Sequence, residues 1–288
     1  MIFKTKILCA AFLISSAFIS ASEPLRHQSW IGKALGRFSQ TRMVCLFEKH
    51  VSPKLKRGLN EAMGYGDQPA SEQSQALGKE AQKALNIPEE RHVPIKCLNP
   101  EGLMAKTFKP GAVAEPDAIF VNEKRLKNRT HGARRSLFFH EAVHKKYNDL
   151  STDTILEFLA LLGTAFATHL AIRAFKPKGR FKFLHVMGVI IAGLSGSAIT
   201  SRNYHHFMER RADIEGHYAT ACAECVQESA ARRRHLIEKK NNLLLNSNMG
   251  YLPPQELEAI ALDLKKDRQM CTYHKEHVSN NLNTEEKI

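Results

Sequence analysis

The stretch LFFHEAVHKKYND, Leu137–Asp149, sets two histidines four residues apart and puts a glutamate directly after the first. Residues four apart share one face of a helix, so His140 and His144 can both reach a single ion at about 2.0–2.1 Å. Glu141, offset by one residue, falls beside such an ion instead of on it, where a carboxylate can take the proton of an attacking water. Phe138, Phe139, Ala142 and Val143 give the helix buried faces. A surface helix with incidental histidines spells the same letters. The rest of the chain has to supply a third ligand, a compartment and a place for substrate.

A third ligand is offered by HHFMERRADIEGHYATA, residues 205–221, where Glu209 and Asp213 stand four apart on an expected helix. Glu209 completes a His₂Glu set and leaves one position open, the arrangement of a catalytic zinc site. Asp213 can accept a hydrogen bond from a ligand histidine and fix its tautomer, or help to handle protons. The bland alternative is an ordinary charged helix face with Arg210 and Arg211 in solvent.

The compartment is indicated by MIFKTKILCAAFLISSAFISASEP, residues 1–24. Lys4 and Lys6, an apolar run from Ile7 to Ile19 and the small residues Ser20, Ala21 and Ser22 follow the grammar of a secretory signal peptide spanning residues 1–22. An uncleaved N-terminal anchor is the alternative, and both readings export the remainder. The formal net charge of +13 favours anionic lipid or acidic partners. No nucleic-acid partner is expected, because no nucleic-acid module accompanies the charge.

Two apolar runs of membrane-spanning length, Ile155–Ile172 and Phe183–Thr200, follow the HEAVH segment. Between them lies the basic RAFKPKGRFK, and basic loops favour the cytoplasmic side. A transmembrane hairpin over residues 151–204 is therefore expected. Gly188, Ala192, Gly193, Gly196 and Ser197 would let its helices approach closely. Glu157 and His169 instead support a buried soluble hairpin, since ionisable groups are costly in lipid.

Upstream, Ser71–Asn86 predicts a capped helix, and Ala118–Val121 a short strand. Downstream, a helix is expected from His205 to about Asn246, then a break at SNMGYLPP and a second helix from Gln255 to about Met270. Folded back, this hairpin brings Cys225 near Cys271, with Cys222 one turn away. Export favours a disulfide between Cys271 and one of that pair, with Cys45 and Cys97 as a second pair. A structural zinc site from Cys222, Cys225, Cys271 and His274 has plausible spacing too.

HExxH, a pair of apolar helices and then ExxAD resemble the zinc endopeptidase family that includes HtpX-type proteases and CAAX prenyl proteases. The likeness covers about residues 100–225; residues 23–100 and the Cys-bearing C-terminal hairpin have no counterpart in it. It implies zinc ligands at His140, His144 and Glu209, a catalytic glutamate at Glu141 and a supporting aspartate at Asp213. It also implies an edge strand that binds extended peptide, a place occupied here by Ala118–Val121. A histidine assisting the transition state is expected in such sites, with His205, His206 and His217 as candidates. HtpX-type members work on the cytosolic side, whereas this export signal puts the site outside.

The expected protein is thus α+β and mostly α, a zincin-like domain assembled from residues 23–150 and 205–288 around the apolar hairpin. Its expected function is that of an inner-membrane zinc metalloendopeptidase with one catalytic Zn²⁺ on the periplasmic side, acting on membrane or envelope proteins. A non-catalytic, membrane-anchored envelope binding or assembly factor with a structural zinc is the alternative.

Overall fold

The computed structural model describes residues 65–102, 106, 110–174, 181–240, 250–267 and 270–276. The expected signal peptide and Cys45 lie outside the described residues. The chain divides into two units, one made of Met1–Val44 with Ser151–Phe207, the other of Cys45–Leu150 with Met208–Ile288.

The second unit carries a four-stranded mixed sheet with helices, so the α+β, mostly α class holds. Strands β1 (Tyr65–Pro69), β2 (Ile95–Leu98), β3 (Ala112–Ala114) and β4 (Ile119–Val121) are ordered β1-β2-β4-β3. β2 and β4 run parallel; β1 and β3 each pair antiparallel on the outside. Alternation sends Ile119 and Val121 to one face and Phe120 to the other.

Helix α1 (Glu72–Ala84) starts as expected, with Ser71 as N-cap accepting from the Ser74 amide. A short helix α2 (Glu123–Leu126) follows β4. The metal-motif helix α3 (His131–Tyr147) is capped by Thr130 and ends at Asn148, which adopts a left-handed φ of 51°. Asn tolerates that conformation through its short polar side chain. Phe138, Phe139, Ala142 and Val143 are fully buried and pack with Leu77, Ala81, Ile119 and Val121. Each buried Phe contributes about 1.5–3 kcal/mol, which anchors the motif helix in the core.

Helix α4 (Asp149–Ala174) and helix α5 (Phe181–Ala219) supply most of the first unit. Within it, a Cβ on Gly196 would fall 2.4 Å from Thr164, and one on Gly193 would fall 3.2 Å from Leu161. Small residues thus set the close approach of the two helices. Phe158, Leu162, Phe166 and Leu170 form an exposed stripe at four-residue spacing on α4, and Val186, Ile190 and Leu194 do so on α5. Among the described residues one helical segment, Asp149–Leu170, is long and apolar enough to cross a membrane by length and composition.

Two expectations need correction. The segment Ala118–Val121 is not an edge: β4 is bonded to β2 on one side and β3 on the other, so its backbone groups are used. The edge strands are β1 and β3, and β3 is the one that touches Glu141. The helix expected from His205 to Asn246 is not continuous either. α5 runs unbroken from the apolar segment through Glu209 and stops at Ala219; helix α6 (Ala223–Lys240) begins afresh. At the break Ala221 takes φ 46° and the Thr220 hydroxyl donates to the His217 carbonyl. The buried Arg135 guanidinium takes the Thr220 carbonyl at 2.7 Å, replacing the helical bond that is lost. Helix α7 (Pro254–Lys266) packs on α6 through Leu257, Ile260, Ala261, Val226 and Ala230.

Candidate metal centre

His140 and His144 project from α3, and Glu209 from the part of α5 that belongs to the same unit. The approach of these helices depends on Gly216, where a Cβ would fall 2.9 Å from the His140 amide nitrogen. The His140 Nε2 atom lies 3.1 Å from Glu209 Oε2 and 3.1 Å from His144 Nε2. His144 Nε2 is 3.7 Å from Glu209 Oε1. Together these three residues could hold a metal ion.

Behind each imidazole stands a buried carboxylate bonded to an arginine. His140 Nδ1 meets Asp213 Oδ1 at 3.0 Å, and Arg233 donates to both Asp213 oxygens. The Leu252 amide supplies Asp213 with a further hydrogen bond, at 2.7 Å. His144 Nδ1 meets Asp149 Oδ2 at 2.8 Å, and Arg211 donates to the other Asp149 oxygen. The left-handed residue Asn148 ends α3, and Asp149, directly after it, reaches His144. Arg211, in solvent on the bland reading of ERRAD, is 1% exposed, whereas Arg210 pairs with Glu256 at the surface.

These partners decide whether a cation fits. Each Nδ1–H is given to a carboxylate, so each Nε2 presents a bare lone pair. Two such nitrogens and a carboxylate then converge with no donor among them. Such a cluster is stable only with a cation or protons between its members. Tetrahedral bonds of about 2.0–2.1 Å place ligand atoms about 3.3 Å apart, close to the spacings present. Where protons take that place, burial opposes them, but the Asp213 and Glu209 hydrogen bonds prevail and His140 is pushed up to about 9. Glu209 is pulled well down against its burial, chiefly by His144 and the hydrogen bond to His140.

Glu141 is buried next to this group, and its Oε2 accepts from the Ala114 amide of β3 at 2.9 Å. Burial pushes its carboxyl up, against the pull of His140 and His144. β3 bonds β4 through the Gly111 carbonyl and Glu115 amide, so the backbone groups of Ala112 and Ala114 face the other way. A cavity of about 340 Å³ opens beside them, lined by Ala112, Glu141, Arg129, Arg232, Arg233 and Tyr251. The Arg129 and Arg232 Nε atoms are buried without a hydrogen-bond partner. Burial, then the charge of Arg232, lower Arg129 to about 10.

Of the candidate assisting histidines, His217 lines the cavity, but both its nitrogens are engaged, by the Asp213 carbonyl at 2.6 Å and Ser229 Oγ at 3.1 Å. Burial lowers it to about 4, so it is neutral. His205 and His206 belong to the other unit. Sequence reasoning missed Asp149, Arg211, Arg233 and Tyr251. Tyr251 lies with its ring 5.8 Å from the His140 ring, and Glu209 and burial push its phenol well up, so it keeps its proton. Asp149 closes the quoted LFFHEAVHKKYND stretch and could have been suspected; the others carry no local signal. Comparison with protein-family models, curated proteins and solved structures finds no match.

Proposed function

We propose that this chain is a zinc-dependent endopeptidase associated with a membrane. The reading rests on the convergence of two imidazole nitrogens and a carboxylate beside Glu141, at a cavity flanked by a strand edge. When bound by His140, His144 and Glu209, zinc would polarise the scissile carbonyl and lower the pKa of the attacking water. Glu141, held through Oε2, keeps Oε1 for that water's proton and then passes it to the leaving amine. Its burial-raised pKa brings it closer to the neutral range in which such a base works best. Asp213 and Asp149 act as positioning residues for the two imidazoles.

Substrate would lie extended along β3, bonded to the Ala112 backbone and the Ala114 carbonyl, with the Ala114 amide kept by Glu141 and selectivity from the cavity beside it. Arg129 and Arg232 line that cavity, and their positive charges favour an acidic side chain there. The protonated Tyr251 phenol is the available donor for charge developing on the carbonyl oxygen. The exposed apolar stripes of α4 and α5 support the membrane association, and the motif order supports the likeness to HtpX-type and CAAX proteases.

The test is hydrolysis of casein and of matched acidic and neutral peptides by wild type and Glu141→Gln. The variant is expected to keep its zinc and lose about 10²–10⁴-fold in kcat. Equal rates in the two proteins would remove Glu141 as the base. Zinc bound with no turnover by either would favour the binding-factor alternative.

A further inference from the structure

A second cluster of ligand-type atoms lies in the same unit, built from residues the peptidase reading does not use. Cys222 immediately precedes α6 and Cys225 lies in its first turn; Cys271 and His274 lie beyond α7. Their ligand atoms all fall within 4.8 Å of one another. Cys222 Sγ is 3.5 Å from Cys271 Sγ, and Cys225 Sγ is 3.7 Å from it. His274 Nδ1 is 3.4 Å, 3.7 Å and 3.1 Å from the sulfurs of Cys222, Cys225 and Cys271. Five of the six edges of a tetrahedron are thereby given. Zinc bonds of about 2.3 Å to sulfur and 2.0–2.1 Å to nitrogen call for edges of about 3.6–3.8 Å.

We infer that Cys222, Cys225, Cys271 and His274 form a structural zinc site, separate from the His140, His144 and Glu209 centre. Three observations carry it beyond spacing. His274 Nε2 is 2.9 Å from Glu228 Oε1, which places the Nε2–H there and turns the bare Nδ1 lone pair toward the sulfurs. One lone pair cannot accept from three thiols at once, but one cation can hold all four atoms. Arg135 Nη1 also approaches Cys225 Sγ at 3.7 Å, a buried positive charge suited to a site with three thiolates and one Zn²⁺. Cys222, directly before α6, sits at the positive end of that helix, which favours its thiolate.

The competing expectation, a disulfide from Cys271, has to bring two sulfurs to about 2.05 Å and leaves the third sulfur and the imidazole unexplained. All three of these cysteines carry free thiols in the structure. The site is closed, with four protein ligands and no open position, so its role is to hold structure. It ties residues 271–274 to the start of α6. Through Glu228 it also reaches α3: Glu228 Oε2 takes the Gly132 amide at 2.8 Å, and a Cβ on Gly132 would fall 2.7 Å from the Cys225 Cα. His131 stacks on Tyr273 at 3.9 Å on the same side. The helix bearing His140 and His144 is thus anchored at its first turn by this cluster.

The experiment is elemental zinc analysis of the full chain, purified without added reductant, with its variants. Wild type is expected to carry two zinc ions per chain, His140→Ala/His144→Ala one, Cys271→Ser one, and the combined variant none. Cys271→Ser should also lower Tm by about 5–10 °C. Because that variant can misfold, the His140→Ala/His144→Ala protein is loaded with cobalt. Strong thiolate-to-cobalt charge-transfer absorption there supports the site without altering it. A single zinc in wild type, lost with His140 and His144, would overturn the inference. So would an intact mass lower by two hydrogens with Cys271 in the linked peptide.

Discussion

At the residue scale, the two imidazoles differ from ordinary core histidines in what stands behind them. Each rests on a buried aspartate that is itself held by an arginine. Replacing either aspartate with asparagine keeps the volume and loses the charge. Asp149→Asn or Asp213→Asn is expected to weaken zinc binding about 10–100-fold, measured by competition with a chromophoric chelator. An unchanged affinity in both would mean that the carboxylates only fill space. His217 gives a different signature. Its folded pKa of about 4 lies below the ordinary 6.5, so the unfolded chain binds the proton more readily. Its contribution is therefore complete above pH 6.5 and is lost as pH falls toward 4. At pH 5 the loss is about 2 kcal/mol. His217→Gln should flatten the fall in Tm between pH 7 and 5 relative to wild type, and parallel curves would contradict this. His140, Glu141 and His144 are legible in the sequence because helical spacing is local chemistry, whereas Glu209, far along the chain, is singled out only through the motif order of the resemblance. Arg233 and Tyr251 are not, because only the packing of α6 and the chain after it brings them in.

At the scale of elements, the centre depends on how closely α5 lies against α3. Gly216 has no side chain because the His140 backbone occupies that place. Gly216→Ala must push the helices apart by a few tenths of an ångström. It should cost about 1–3 kcal/mol and lower zinc affinity, read as Tm with and without chelator. A variant that loses stability but binds zinc as tightly as wild type would show the helix contact to be irrelevant to the ligands. Helix α1 and the start of α7 follow from capping residues and Pro-marked boundaries. The break after Ala219 does not, since no Gly or Pro marks it and a distant arginine stabilises it. The strand error has a similar cause. Ala118–Val121 has the apolar composition of a strand, but whether a strand is inner or edge is decided by its partners. β3, with only Ala112, Val113 and Ala114, is too short to announce itself.

At the scale of the whole molecule, the division into two units follows the apolar hairpin seen in the sequence. Its exposed apolar stripes are the observation behind the proposed membrane association. The chain is expected to stay in the pellet when membranes are washed with alkaline carbonate and to leave it only in detergent. Release by carbonate alone would argue for a buried soluble hairpin. The paired aspartates have one more consequence, and it concerns proton balance. With Glu209, Asp213 and Asp149 around them, His140 and His144 hold protons more tightly than free imidazoles where no metal is bound. A cation held by these residues takes the place of those protons. The interior therefore behaves as an ion exchanger, releasing protons as it takes up metal, and its metal affinity should rise with pH.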